Sequence, residues 1–230
     1  MSSTSAKRRS VKTIALTSVK RLSIKTMFLA AFSFMIVAIT AGAAWAAFTD
    51  NMYPTPYANL SCHDEGSPDG HLSCQTDNSS LTYYMDSGGT NMLEAVDRSA
   101  VNSTMNNVFE PTDLTVTLDT TPTFSGSAET DIVYEESGIG VPSGSSGVTF
   151  CNDAADGLRC DQQYIRILGG GHYARGLICH ETGHAVGLLH GDEASPAVSR
   201  RDERLGCMET PVSDGEGLQD NNIDNINGTY

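Results

Sequence analysis

The residues that invite chemistry lie in one run, His180-Glu181-Thr182-Gly183-His184-Ala185-Val186-Gly187-Leu188-Leu189-His190. On a helix, His180 and His184 stack on one face one turn apart, where a single metal ion can take a nitrogen from each ring. Glu181 follows His180 directly and can reach a water on that ion without being a ligand. Zinc brings the pKa of such a water to about 7, and a carboxylate can then take its proton as it attacks a carbonyl. His190 lies too far beyond His184 to share the same straight helix face, so the chain must bend between them. Gly187 sits where the bend is needed, because a residue without Cβ adopts the left-handed conformation that ends a helix. Three imidazoles leave the fourth position for water or substrate, the mark of a catalytic rather than a structural zinc site. Five fixed identities arise by accident in about one chain in ten thousand, which disfavours an amphipathic helix with incidental histidines.

This run resembles the H-E-x-x-H-x-x-G-x-x-H signature of the metzincin zinc metallopeptidases, and the tail gives it a matrixin-like character. The resemblance implies a methionine in a tight turn beneath the zinc, and Cys207-Met208-Glu209-Thr210-Pro211 offers Met208 as that residue, with Pro211 shaping the turn. It implies a substrate pocket built after Met208, for which Glu209, Thr210 and Pro211 are the candidates. It makes Val148 to Cys151 the edge strand on which an extended peptide lies. The stretch from Asp214 to Tyr230, with Leu218, Ile223 and Ile226, resembles the family's final helix. Acid-rich loops add Ca²⁺ as a further ion that the resemblance allows, with no ligand singled out. Three features depart from the better-known subfamilies. Gly191 follows the third histidine in place of a diagnostic acidic, Ser or Pro residue. Thr210 stands where some members carry a tyrosine ligand, so no tyrosine ligand is expected. No P-R-C-G-x-P-D segment occurs, so latency through a pro-segment cysteine is not expected.

The elements that must position these residues are legible as patterns. Leu81 to Met85 alternates as a half-buried strand, and Leu114, Val116 and Leu118 alternate with threonine. Further strands are expected at Asp131 to Glu136, Val148 to Cys151 and Gln163 to Leu168. Met92, Leu93, Val96, Val101, Met105, Val108 and Phe109 recur at helical spacing and predict an amphipathic helix over Asn91 to Phe109. The order gives an α/β (α+β) domain. With the resemblance, it becomes a mixed twisted sheet of about five strands with a backing helix, a zinc-site helix and a C-terminal helix.

Ahead of this domain, residues 1–47 read as a targeting segment. Seven basic residues and no acidic ones precede an apolar stretch from Met27 to Phe48. Ala44-Trp45-Ala46 is a small-x-small pattern that signal peptidase accepts, and an uncleaved anchor with the same outward orientation is the other reading. Residues 48–80 form a loop-like segment rich in Pro, Ser, Asn, Asp and Gly, and 81–230 the metallopeptidase domain. The leader holds seven of the fourteen basic residues and none of the twenty-eight acidic ones, so the remainder carries seven against twenty-eight, a net charge of −21. Such a surface repels nucleic acid and anionic lipid. The partner is therefore expected to be a protein or peptide substrate, with no membrane contact apart from the leader, and the chain a monomer. Six cysteines in the exported part read as disulfides, with fifteen pairings open. Sequence proximity favours Cys62 with Cys74 and Cys151 with Cys160, leaving Cys179 for Cys207. A bridge there would pin the zinc helix to the methionine turn. Together these readings predict a secreted zinc metalloendopeptidase. The competing reading, an inactive zinc-stabilised extracellular binding or adhesion domain, has no need of Glu181.

Overall fold

Alternation and helical periodicity organise the chain much as its patterns predict. The computed structural model describes residues 48–64, 74–126 and 128–230; the expected leader lies outside the described residues. The elements are β1 (Gln75–Thr76), β2 (Ser80–Met85), α1 (Ala95–Thr104), β3 (Thr115–Leu118), β4 (Ile132–Glu136), β5 (Gly147–Ala154), β6 (Arg159–Ile167), α2 (Arg175–Ala185) and α3 (Asp220–Thr229). The result is a mixed α/β fold whose sheet has six strands where about five were expected. The addition, β1, is two residues long and too short for alternation to reveal.

The sheet order is β1-β6-β4-β2-β3, all parallel, with β5 paired antiparallel to β6 on its other side. Among the described residues β5 therefore keeps one unpaired edge. Leu81, Tyr83 and Met85 on β2, Ile132 and Tyr134 on β4, and Ile165 and Ile167 on β6 are buried in one core with α1 and α2. Tyr83 and Tyr134 meet edge to face at 6.5 Å between ring centres. The Tyr83 hydroxyl donates to Asn102 of α1, and that of Tyr134 lies 2.7 Å from Thr182 of α2, so both helices cover the same face of the sheet.

The first helix departs from the periodicity reading. It starts at Ala95 rather than near Asn91, and its last turn widens into a π-helical turn over Met105–Phe109. Leu93, Val101, Met105, Val108 and Phe109 are buried, but Met92 and Val96 are 46% and 68% exposed. The inward row also uses Asp97 and Thr104, two polar positions that an apolar count passes over. Asp97 takes the inward place, so Val96 points about 100° away around the helix. Leu118, at the end of the edge strand β3, is likewise 40% exposed.

The disulfides form as expected: Cys62–Cys74 and Cys151–Cys160, which sequence proximity favoured, and Cys179–Cys207, the pair these leave. The first two lie against each other, with Cys62 Sγ 3.8 Å from Cys151 Sγ, in a small buried cluster beside the β5–β6 hairpin. Three bridges in one domain are the mark of an oxidising compartment. No helix of the described residues is long and apolar enough to cross a membrane.

Candidate metal centre

Helix α2 carries His180 and His184 and stops where the sequence requires it to stop. Gly187 has φ +94°. Its N–H donates to the His184 carbonyl at 3.0 Å, and the Leu188 N–H to the Gly183 carbonyl at 2.8 Å. These are the two bonds of a Schellman turn, which needs a left-handed residue at this position. Other carbonyls of the last turn find partners from distant elements: Gln163 of β6 donates to Ala185, and the hydroxyl of Tyr230 to Val186. Beyond the turn the chain reverses and brings His190 back to the helix.

The three histidines converge through the same ring atom. Nε2 of His184 and Nε2 of His190 each lie 3.2 Å from Nε2 of His180, and the three residues form one set of convergent ligand atoms. A tetrahedral zinc ion with bonds of about 2.0–2.1 Å holds its ligand nitrogens about 3.3 Å apart. The opposite ring nitrogens are engaged. His180 Nδ1 meets the Cys207 carbonyl at 2.7 Å and His184 Nδ1 the Leu188 carbonyl at 2.9 Å. A carbonyl only accepts, so each of these Nδ1 atoms carries the proton, and in the neutral ring Nε2 is a bare lone pair. Burial, reinforced by the neighbouring imidazoles, lowers the pKa of His180 to about 4 and that of His184 well below 6.5. Two neutral rings thus aim lone pairs at one point, an arrangement that a cation satisfies and a hydrogen bond between these two rings cannot. Imidazole donors suit zinc and its transition-metal neighbours rather than Ca²⁺. The third ring has an oxygen partner as well: Glu193 Oε2 lies 3.5 Å from His190 Nδ1 and accepts from the His190 backbone N–H at 3.2 Å. Carboxylates and carbonyls behind metal-binding histidines fix ring orientation and raise ligand basicity.

Glu181 is 4% exposed. The Thr149 hydroxyl of β5 lies 2.8 Å from its Oε2 and 2.8 Å from its backbone carbonyl. A Cβ at Gly147 would stand 2.6 Å from its Oε1, so the carboxylate occupies space that only glycine leaves. Burial pushes its pKa up to about 7, with the Thr149 hydroxyl opposing the rise. In the unfolded chain the same group ionises near its ordinary 4.5. Between those values the unfolded chain has released a proton that the folded, metal-free domain retains, so stability falls as pH rises through this window, by up to about 3 kcal/mol. Glu181→Gln has no such step, and histidine protonation affects parent and variant alike. Urea unfolding of the metal-free proteins should show the variant gaining about 3 kcal/mol on the parent between about pH 4 and pH 8; a difference independent of pH contradicts the role assigned to burial.

Met208 is fully buried, and a Cβ at Gly183, between the two helix histidines, would collide with its Sδ. It ends a short 3-10 turn, Glu203–Met208, which the Cys179–Cys207 bridge ties to α2 one residue before His180. The bridge and the His180–Cys207 hydrogen bond therefore act on neighbouring atoms. Glu209, Thr210 and Pro211 follow; Pro211 is exposed, and Thr210 donates its N–H to the Arg200 carbonyl while its buried hydroxyl has no partner among the described residues. None of the three is hydrogen-bonded to the histidines among the described residues. The set His190, Asp192 and Glu193 also converges, but it shares His190 with the first, and Asp192 is paired with Arg200 at 2.7 Å. The remaining convergent set, Cys62, Cys74 and Cys151, is tied up in disulfides.

The residues holding the His190 loop were not found by sequence reasoning. Residues 49–55 run along 187–196: Tyr53 N–H donates to Gly187, Leu189 N–H to Asn51, and Asp50 and Ser195 exchange a pair of backbone bonds. The Asn51 side chain, fully buried, donates to the Leu189 carbonyl and accepts from Asn221 and Asn225 of α3. Leu189, just before His190, is thus gripped on both its N–H and its carbonyl. Thr149 and Gly147 escaped as well: the apolar Val148 and Phe150 pair with Arg166 and Tyr164 on the other face of β5, and nothing local names Glu181 as the partner. At Gly187 the demand is both conformational and steric, since a Cβ would come within 2.9 Å of Met52 Sδ and 3.3 Å of the Gln75 backbone. Gly187→Ala should cost about 1–3 kcal/mol in chemical denaturation and weaken metal binding in a chelator competition; a variant as stable as the parent contradicts the bend.

No protein-family model matches the chain and no curated protein is significantly similar to it.

Proposed function

We propose that the chain is a secreted zinc-dependent endopeptidase of metzincin type. The observation that carries this reading is the meeting of three imidazole Nε2 atoms at 3.2 Å spacings, two with Nδ1 committed to carbonyls, on the helix that also bears the buried Glu181. His180, His184 and His190 would hold the ion. Zinc supplies Lewis acidity toward a peptide carbonyl and makes water acidic enough to lose its proton near neutral pH.

The chain's own residues do the rest. Glu181 takes the proton of the attacking water and hands it to the departing amine, the work of a general base that then serves as general acid. The unpaired edge of β5 offers backbone donors and acceptors to an extended peptide, which fixes the scissile bond without demanding a particular side chain. Met208 under Gly183 and α3 behind the site agree with the family resemblance, as does the single antiparallel strand beside the helix. The basic, apolar leader and the three disulfides support export.

A digest of a diverse peptide library by the purified domain, with and without a zinc chelator, tests the proposal. Cleavage at internal bonds that stops with the chelator and returns on adding zinc is expected. A zinc-loaded domain that cleaves nothing would favour a binding role.

A further inference from the structure

Strand β5 faces two ways. Thr149 and Gly147 pair with Ile165 and Ile167 of β6, whose side chains are buried in the core under α1 and α2, whereas Phe150 stacks on Tyr164 with Arg166 beside it. Inward-facing hydroxyls in such a strand ordinarily serve packing or a neighbouring backbone group. Thr149 does more, because its single oxygen sits 2.8 Å from both the carboxylate Oε2 and the main-chain carbonyl of Glu181. The hydroxyl has one proton and two lone pairs. It can donate to the carboxylate, or turn that proton to the carbonyl and accept from the carboxylic acid, so it bonds Glu181 in either state. Gly147, two residues earlier on the same face, leaves the room that Oε1 and Cδ occupy, with a Cβ there 2.6 Å and 2.9 Å from them. One strand therefore grips both carboxylate oxygens, one by a bond and the other by a gap.

We propose that Thr149 is the positioning residue for Glu181, holding its carboxylate in the one orientation from which it exchanges protons with the reacting water and amine. The proposal rests on the peptidase reading and deepens it. The edge of β5 that would carry the peptide and the face that aims the base belong to the same residues, so the register of the substrate and the orientation of the base are set by one strand. Proton transfer is sensitive to such orientation, and an ångström of misplacement can cost about 100-fold.

Thr149→Val removes the hydroxyl at nearly constant shape, and Thr149→Ser keeps it while deleting a methyl. With the zinc-loaded full domain, Thr149→Val should lower kcat about 10- to 100-fold with KM changed less than about threefold. Thr149→Ser should stay within about threefold of the parent. A Val variant with parental kcat, or a Ser variant as impaired as Val, overturns the assignment. A second readout does not depend on activity. In crystal structures of parent and Thr149→Val, the Glu181 carboxylate should leave its parental orientation while the three histidines keep theirs. An unmoved carboxylate overturns the proposal whether or not the chain is a peptidase. Should the parent fail to cleave any peptide, the peptidase reading fails while this structural comparison still decides the role of Thr149.

Discussion

Glu181→Gln should abolish nearly all peptide cleavage and leave the metal in place. The substitution keeps the size of the side chain and an oxygen able to accept from Thr149, so the packing against Gly147 survives. What disappears is the capacity to take up and return a proton, and removing a general acid–base group typically costs about 10²–10⁴-fold. The loss should fall on kcat, since Glu181 is not among the convergent ligand atoms and peptide binding along β5 does not involve it. Steady-state kinetics together with metal content per chain reads both parts. If the variant retained more than about a tenth of the parental kcat, Glu181 would not be the base; if zinc were lost with the activity, it would belong to the coordination set.

The second large effect is expected at His190. His180 and His184 lie on one helix and would be neighbours in almost any fold of this segment, whereas His190 arrives only through the Gly187 turn and the grip of residues 49–55 on the returning chain. His190→Ala should therefore leave the fold intact, because the bonds that shape the loop run through the backbone of Gly187, Leu189 and Ser195, none of which needs the imidazole. Zinc affinity should drop by more than the roughly 100-fold that losing an outer partner of a metal ligand costs, and activity at limiting zinc should vanish with it. A chelator competition on parent and variant, paired with thermal unfolding of both metal-free proteins, separates the two. Equal affinity would mean that His190 is not a ligand, and a collapsed fold would mean that the ring is needed for the loop itself.

What the sequence shows of this architecture depends on how local its cause is. The helix of His180 and His184 and its end are written in nearest neighbours: a four-residue spacing fixes a face, and Gly187 fixes the turn by the backbone conformation it tolerates without a Cβ. Strand β2 emerges from alternation, because it buries one face, and β4 from a β-rich run whose Ile132, Val133 and Tyr134 are buried in succession. Neighbouring-cysteine logic likewise suffices for Cys62–Cys74 and Cys151–Cys160, which close short loops, and leaves Cys179 for Cys207. The support of the His190 loop is a different matter. Residues 49–55 have the composition of a loop, and their structure comes from backbone bonds to a segment about 140 positions away, which no periodicity reports. The asparagine-rich tail reads as a poor helix on propensity, yet Gln219 and Asn222 form a capping box, and Asn221 and Asn225 spend their amides on Thr49 and Asn51. Their polarity serves a buried joint between the two ends of the domain. Thr149 is the sharpest case: it lies between the apolar Val148 and Phe150, its partner is a carboxylate on another element, and only the assembled fold puts the two at 2.8 Å.

The proposed metal centre needs three histidine rings to share one ion. X-ray data collected on crystals of the purified domain above and below the zinc absorption edge locate that ion and identify it in a single experiment. One zinc per chain is predicted, bonded at about 2.0–2.1 Å to Nε2 of His180, His184 and His190. An anomalous peak elsewhere, or a zinc-loaded crystal in which any of the three rings turns its Nδ1 or its edge to the metal, would contradict it.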